Sequence, residues 1–236
     1  MSIAREERFL ISRDPARMPG LGIESAMLAE CLEEAHRHSF KSVFGNPSFG
    51  FSETTLDFLY SLPGIQAVWF WDIDLKNIDA LYTLSSLEYF GVHDKRPAID
   101  FSRFPALKDM IWSHKPKDAG VSKLKNLQLL HVWHYRPKSK SFTDLQLPDT
   151  LNELQIIWAN PTSLDGLKPI ASLRRLEIHR CRNLASLALI PQLFPQLEQL
   201  IISGCGRVSS IEGTQIALQL PFLKHAFVQD SVVLSR

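Results

Sequence analysis

At 236 residues the chain can form one large domain or two small ones, and with 45% hydrophobic and 22% charged residues it has the balance of an ordinary globular protein in water. Its 26 basic and 25 acidic side chains leave a net charge of +1, which excludes a global electrostatic pull toward nucleic acid or an anionic membrane surface. Charges run through the opening MSIAREERFLISRDPARMPG, where a signal peptide would need an apolar core, and no later run approaches the roughly 20 apolar residues of a membrane span. The expected setting is therefore cytoplasmic, with signal-independent secretion as the alternative.

Residues 1–39 read as an N-terminal cap segment. A loop, RDPARMPGLG, leads into GIESAMLAECLEEAHRH, where Ile23, Met27, Leu28, Cys31, Leu32 and Ala35 recur near helical spacing with Glu24, Glu30, Glu33 and Glu34 mostly opposite. This predicts a helix over about residues 24–36, suited to covering the open edge of whatever follows.

From residue 40 to 236 the chain repeats. LRRLEIHRCRNLASL from Leu173 and LEQLIISGCGRVSSI from Leu197 share one pattern, L-x-x-L-x-I-x-x-C-x-x-[LV]-x-x-[LI]. Weaker copies begin at Ile65, Leu87, Leu107, Leu127, Leu151 and Leu223, and FKSVFG from Phe40 is a degenerate earlier one. The spacings from Ile65 to Leu223 are 22, 20, 20, 24, 22, 24 and 26 residues. The connecting segments have their own period, as in SLDGLKPIASL, where Leu164, Leu167, Ile170 and Leu173 recur every three residues.

These motifs resemble the leucine-rich repeat family, whose consensus is L-x-x-L-x-L-x-x-[NC]-x-L with roughly 20–29 residues per unit. The three-residue period is similar to the short helical or 3₁₀ returns of internalin-type repeats, and the cysteine copies are similar to those of plant immune receptors. The resemblance implies an α/β solenoid with a parallel sheet on a concave face, about eight repeats, and protein recognition without catalysis. It also places Cys181 and Cys205 at the turn position, as small buried side chains rather than nucleophiles. Three cysteines, an odd number without C-x-x-C spacing, predict no disulfide framework.

In this frame positions 1, 4 and 6 of each copy point inward, so Ile65, Val68 and Phe70 are core and Trp69 and Trp71 project from the sheet. The same reading sends Trp112 inward. It brings Trp69, Trp71, Tyr89, His93, His131, Trp133 and Trp158 onto one exposed face, with Arg175 and His179 beside them. Tryptophan and tyrosine side by side on a rigid sheet are the usual anchors of a protein interface, and we expect another protein as partner, not nucleic acid or membrane. Two alternatives are a small molecule or carbohydrate stacked on the tryptophans, and internal cover by another part of the chain.

Asp72, Asp94, His114 and His134 fall in one strand-exit column near His93 and His131. Such a set suits zinc, and with it a metal-dependent hydrolase, but ligands on a flat ladder point out in parallel and seldom converge. We expect no metal, no cofactor and no catalytic residue, since no phosphate loop, H-E-x-x-H or G-x-S-x-G is present. The chain ends soon after the last copy, with SVVLSR. Either this tail covers the last edge, or a second copy does, in an edge-mediated homodimer, or another protein does.

Overall fold

A computed structural model describes residues 3–13, 18–93 and 95–236. The central part of the loop RDPARMPGLG and Asp94 of the exit column lie outside the described residues. The chain forms two compact units. One holds the chain up to Met110 together with Lys117–Ala119, and the other holds Ile111–Pro116 and Gly120–Arg236.

The first unit opens with strands that the apolar pattern did not announce. β1 (Ile3–Glu6) and β2 (Phe9–Ser12) form a two-residue hairpin, and β2 pairs antiparallel with β3 (Gly20–Gly22). A 3₁₀ turn at Ser25–Met27 leads into α1 (Leu28–Arg37), which buries Cys31 and Ala35. From β3 onward the pairing is parallel, through β4 (Ser42–Gly45), β5 (Ala67–Phe70) and β6 (Tyr89–Val92). The registers align Val43, Val68 and Phe90, all 0% exposed. FKSVFG is thus a strand in step with the others.

After β4 each return in this unit carries a 3₁₀ turn, Asp57–Ser61, Asp79–Thr83 and Phe101–Arg103. The three-residue apolar period produces it, because side chains at i and i+3 eclipse in a 3₁₀ helix and form one buried edge. Leu62 N–H donates to Leu59 and Ile65 N–H to Leu62, and the step repeats at Leu84 and Leu87. A further clamp was invisible in the pattern. Arg96 and Asp118, both with fully buried side chains, form a bidentate pair at 2.8 and 2.7 Å, and Asp118 also accepts from the Ile99 N–H. This pair holds 117–119 in the first unit.

β7 (Asp109–Ser113) carries the chain into the second unit, where Trp112 is 5% exposed, on the inward side. There β8 (Leu129–Trp133), β9 (Glu153–Ile157), β10 (Arg175–His179), β11 (Gln199–Ser203) and β12 (His225–Val228) pair in parallel and in chain order. β13 (Ser231–Ser235) turns back antiparallel on β12, so the tail occupies that edge. Burial alternates along β8, β10 and β11, as expected of a sheet with one packed face. The inward triplets, such as Leu173, Leu176 and Ile178 or Leu197, Leu200 and Ile202, are at most 1% exposed. Each such leucine contributes about 1.5–3 kcal/mol by leaving water.

The packed face is closed by α2 (Ile190–Leu193) and α3 (Ser210–Gln219). Ser209 caps α3 by accepting from the Glu212 N–H. Cys181 and Cys205 sit in the turns, 3% and 0% exposed, with thiols donating to the carbonyls of Ile156 and Ile178. A hydrogen bond with Cys205, together with burial, pushes the Cys181 thiol far above its ordinary range, so it stays protonated and unreactive at neutral pH.

Candidate functional site

The exposed-face residues divide between the units. On the first, Trp69 in β5 and Trp71 just after it point out as the frame requires, and their rings stack at 4.1 Å and 23°. Trp71 also stacks on Phe44 and meets Phe49 edge-on at 5.9 Å. Phe49 belongs to the turn Pro47–Phe49, whose N-cap Asn46 accepts from Ser48 N–H and donates to the Trp71 carbonyl. Part of this patch is therefore self-covered, and both tryptophans are half-buried.

Tyr89 departs from the expected exposure: it is 8% exposed. The cause is the neighbouring column position, Gly91, where a Cβ would lie 2.9 Å from Trp69 and 3.0 Å from the Tyr89 hydroxyl. The missing side chain lets Trp69 and Tyr89 close over that strand. His93 Nδ1 accepts from the Asp72 N–H at 3.0 Å, which fixes the proton of the neutral ring on Nε2.

On the second unit, the strand exits carry an aromatic and cationic assembly. Trp158, after β9, has His134 stacked on it at 4.8 Å and 8°, Trp133 edge-on at 5.9 Å, and the Arg180 guanidinium 5.6 Å from its ring. Arg136 donates to the Trp158 carbonyl at 3.1 Å. Backbone bonds lock the turns together, His134 N–H to Ile157, Trp158 N–H to His179 and Arg180 N–H to Ser203. His134, Trp158 and Arg180 all adopt left-handed backbone, with φ of 58°, 56° and 55°. In the next repeat the same position is Gly204, at φ 64°. Sequence reading put His134 in a metal column and passed over Arg180. Its left-handed partners share a position in the repeat, but nothing in their residue types signals that conformation.

The rest of the predicted set lies on the strands beside it. Glu177 accepts from Gln155 at 2.7 Å, from Arg175 Nε at 2.7 Å, and faces His179 Nε2 at 2.8 Å, while His179 Nδ1 meets Ser203 Oγ at 2.7 Å. Arg175 also donates to Gln199. The His179 bond, followed by those from Gln155 and Arg175, holds the Glu177 carboxyl down to about 2 against the pull of burial. An anionic Glu177 makes Nε2 a donor, so in the neutral ring Nδ1 accepts from Ser203. A serine, imidazole and carboxylate in sequence are the parts of a nucleophilic relay. Here, however, the carboxylate is also satisfied by Arg175 and Gln155. The cavity lined by His131, Gln155, Arg175 and Glu177 measures about 20 Å³, room for one water. His131 is half-buried at its rim.

Of the strand-exit column, Asp72 N–H donates to His93, His114 is edge-on to Tyr135 at 4.8 Å, and His134 stacks on Trp158. No three His, Cys, Asp or Glu residues among those described are grouped to hold a metal ion. No described helix is long and apolar enough to cross a membrane.

No family model matches the sequence, and no curated protein matches it. Among solved structures the chain is similar to an internalin (inlF) from Listeria monocytogenes, with 13% identity and a TM-score of 0.51 over 88% of this chain. The chain spans 65% of the length of that internalin. The likeness, the in-register parallel strands and the short returns agree: the chain has the leucine-rich repeat solenoid fold.

Proposed function

We propose that this protein is a non-catalytic recognition module that binds a partner protein through the outward face of its sheet, centred on Trp133, Trp158 and their neighbours in the second unit. One observation carries the reading. His134, Trp158 and Arg180 hold left-handed backbone where glycine would be unstrained, as Gly204 is. Non-glycine residues there cost about 1 kcal/mol or more each, and a tryptophan at positive φ is a genuine outlier. The turn of the repeat imposes this backbone, as at Asp72 (φ 57°) in the first unit, and at the strand exits of the second unit it presents a tryptophan flanked by a histidine and an arginine. Tryptophan and arginine locked by their neighbours lose little entropy on binding, as interface anchors do. Trp69, Trp71 and His93 form a second, smaller patch on the first unit, and His131, Arg175 and His179 serve as a rigid polar border.

Carbohydrate stacking is the weaker reading. It needs free indole faces, whereas Trp69 and Trp71 face each other and Trp158 is sandwiched. The test is affinity capture with partner identification by mass spectrometry, comparing wild type with Trp158→Asn, since asparagine tolerates the left-handed backbone. A protein held by wild type and lost by the folded variant supports the reading. The same proteins held by both would sink it.

A further inference from the structure

Charge is distributed unevenly along the strands of the second unit. At strand entry the charges are neutralised: Arg174 and Lys224 both pair with Glu198, at 3.7 and 2.5 Å, and Arg175 pairs with Glu177. At strand exit, the segments after β8, β10 and β11 carry Arg136, Lys138, Lys140, Arg180, Arg182 and Arg207, all exposed. Among the described residues none of these six has an ion pair within 4.0 Å. The acids on the exit segments are Asp144, Asp149, Asp165, Glu212 and Asp230, of which Asp165 is already bonded to Ser163 and Glu212 to Ser186 and the Leu187 N–H.

Parallel strands set these turns side by side, with neighbouring strands about 4.8 Å apart. The bonds from Arg136 to the Trp158 carbonyl and from Arg180 N–H to Ser203 keep two of the cations beside the aromatic plate. Like charges closer than a Debye length of about 8 Å repel one another, and among the described residues no carboxylate lies within 4.0 Å of these six to relieve them. We infer that the strand-exit edge of the second unit docks an acidic linear segment of the partner protein, its carboxylates meeting Arg136, Arg180 and Arg182 beside Trp158. The inference rests on the recognition role proposed above and adds the chemistry of the partner. A single-stranded nucleic acid would offer anions too, but it binds by stacking bases on free aromatic faces. The Trp158 ring lies between His134 of the preceding repeat and Arg180 of the following one.

The test is fluorescence anisotropy on the full chain with three labelled probes. These are a peptide of about 12 residues rich in Asp and Glu with two leucines, its Asn/Gln counterpart, and single-stranded oligothymidine. The acidic peptide should bind and the amide peptide should not, with affinity falling about tenfold between about 50 and about 300 mM salt. The variant Arg180→Gln, Arg182→Gln, Arg207→Gln should bind it about tenfold more weakly, with unchanged thermal unfolding. No binding of the acidic peptide, equal binding of the amide peptide, no effect of the triple variant, or tighter binding of oligothymidine would each overturn the inference. A captured partner lost by Trp158→Asn but kept by the triple variant would remove the acidic segment and leave recognition standing. A partner kept by both variants would remove recognition through this face as well.

Discussion

Replacing Glu177 by glutamine tests the polar network that stiffens the outward face. The perturbation is nearly isosteric; it removes the charge that His179, Gln155 and Arg175 share and turns one of the two acceptor oxygens into a donor. Folding lowers the Glu177 pKa from 4.5 to about 2. At about 1.4 kcal/mol per pH unit this displacement corresponds to about 3 kcal/mol. The Arg175 side chain is 39% exposed, so water screens part of the attraction and about 2–3 kcal/mol is the expected loss at pH 7. Because the folded pKa lies below the unfolded one, the contribution is complete above about pH 4.5 and disappears as the pH falls toward about 2. Urea unfolding followed by tryptophan fluorescence, on wild type and Glu177→Gln at several pH values, reads it directly. Other lowered carboxyls, such as Glu6 beside Arg13 and Glu198 beside Lys224, titrate in both proteins and cancel in the difference. The gap between the two should shrink by more than half by about pH 3. A gap below about 0.5 kcal/mol at pH 7, or one that stays constant down to pH 3, would refute the reasoning.

Three further outcomes are expected. Gly91→Ala places a Cβ 2.9 Å from Trp69 and 3.0 Å from the Tyr89 hydroxyl; it should cost about 1–3 kcal/mol in urea unfolding and change the near-UV circular dichroism of the stacked Trp69–Trp71 pair. Asp118→Ala leaves the buried Arg96 guanidinium without its carboxylate, and should lower stability by about 3–5 kcal/mol, seen as a lower urea midpoint. Ser203 should resist a fluorophosphonate probe under conditions that label an active-site serine, because Glu177 is shared with Arg175 and the adjoining cavity admits only about one water. Stoichiometric labelling of Ser203 would overturn the non-catalytic reading.

The repeat was legible in the sequence because it is set locally. Each copy must bury its own positions 1, 4 and 6 against the next, so Val68, Phe70 and Leu200 had to face in and Trp69 and Trp133 out, whatever the rest of the chain does. The three-residue period produces 3₁₀ returns in the first unit, whereas SLDGLKPIASL, which shows the period most plainly in the sequence, forms turns and bends without a 3₁₀ helix. What depended on two distant segments meeting was not legible. β1, β2, β3 and β13 are short and held by their neighbours rather than by their own apolar period. Arg96 and Asp118 pair across 22 residues, and Tyr89 is buried because Gly91 on its own strand leaves space for it and for Trp69 to fill. The columns put Trp69, Trp71 and Trp133 on the outward side, half-buried, while Tyr89 is buried, and what each side chain does there was settled only by contact. Stacking sandwiches Trp158, hydrogen bonds tie His179 to Glu177 and Ser203, and the turn geometry holds His134 and Arg180 in left-handed backbone. A repeat pattern records which way a side chain points. Which neighbour it meets depends on strands brought together from some twenty residues away, and that information exists only once the strands are stacked.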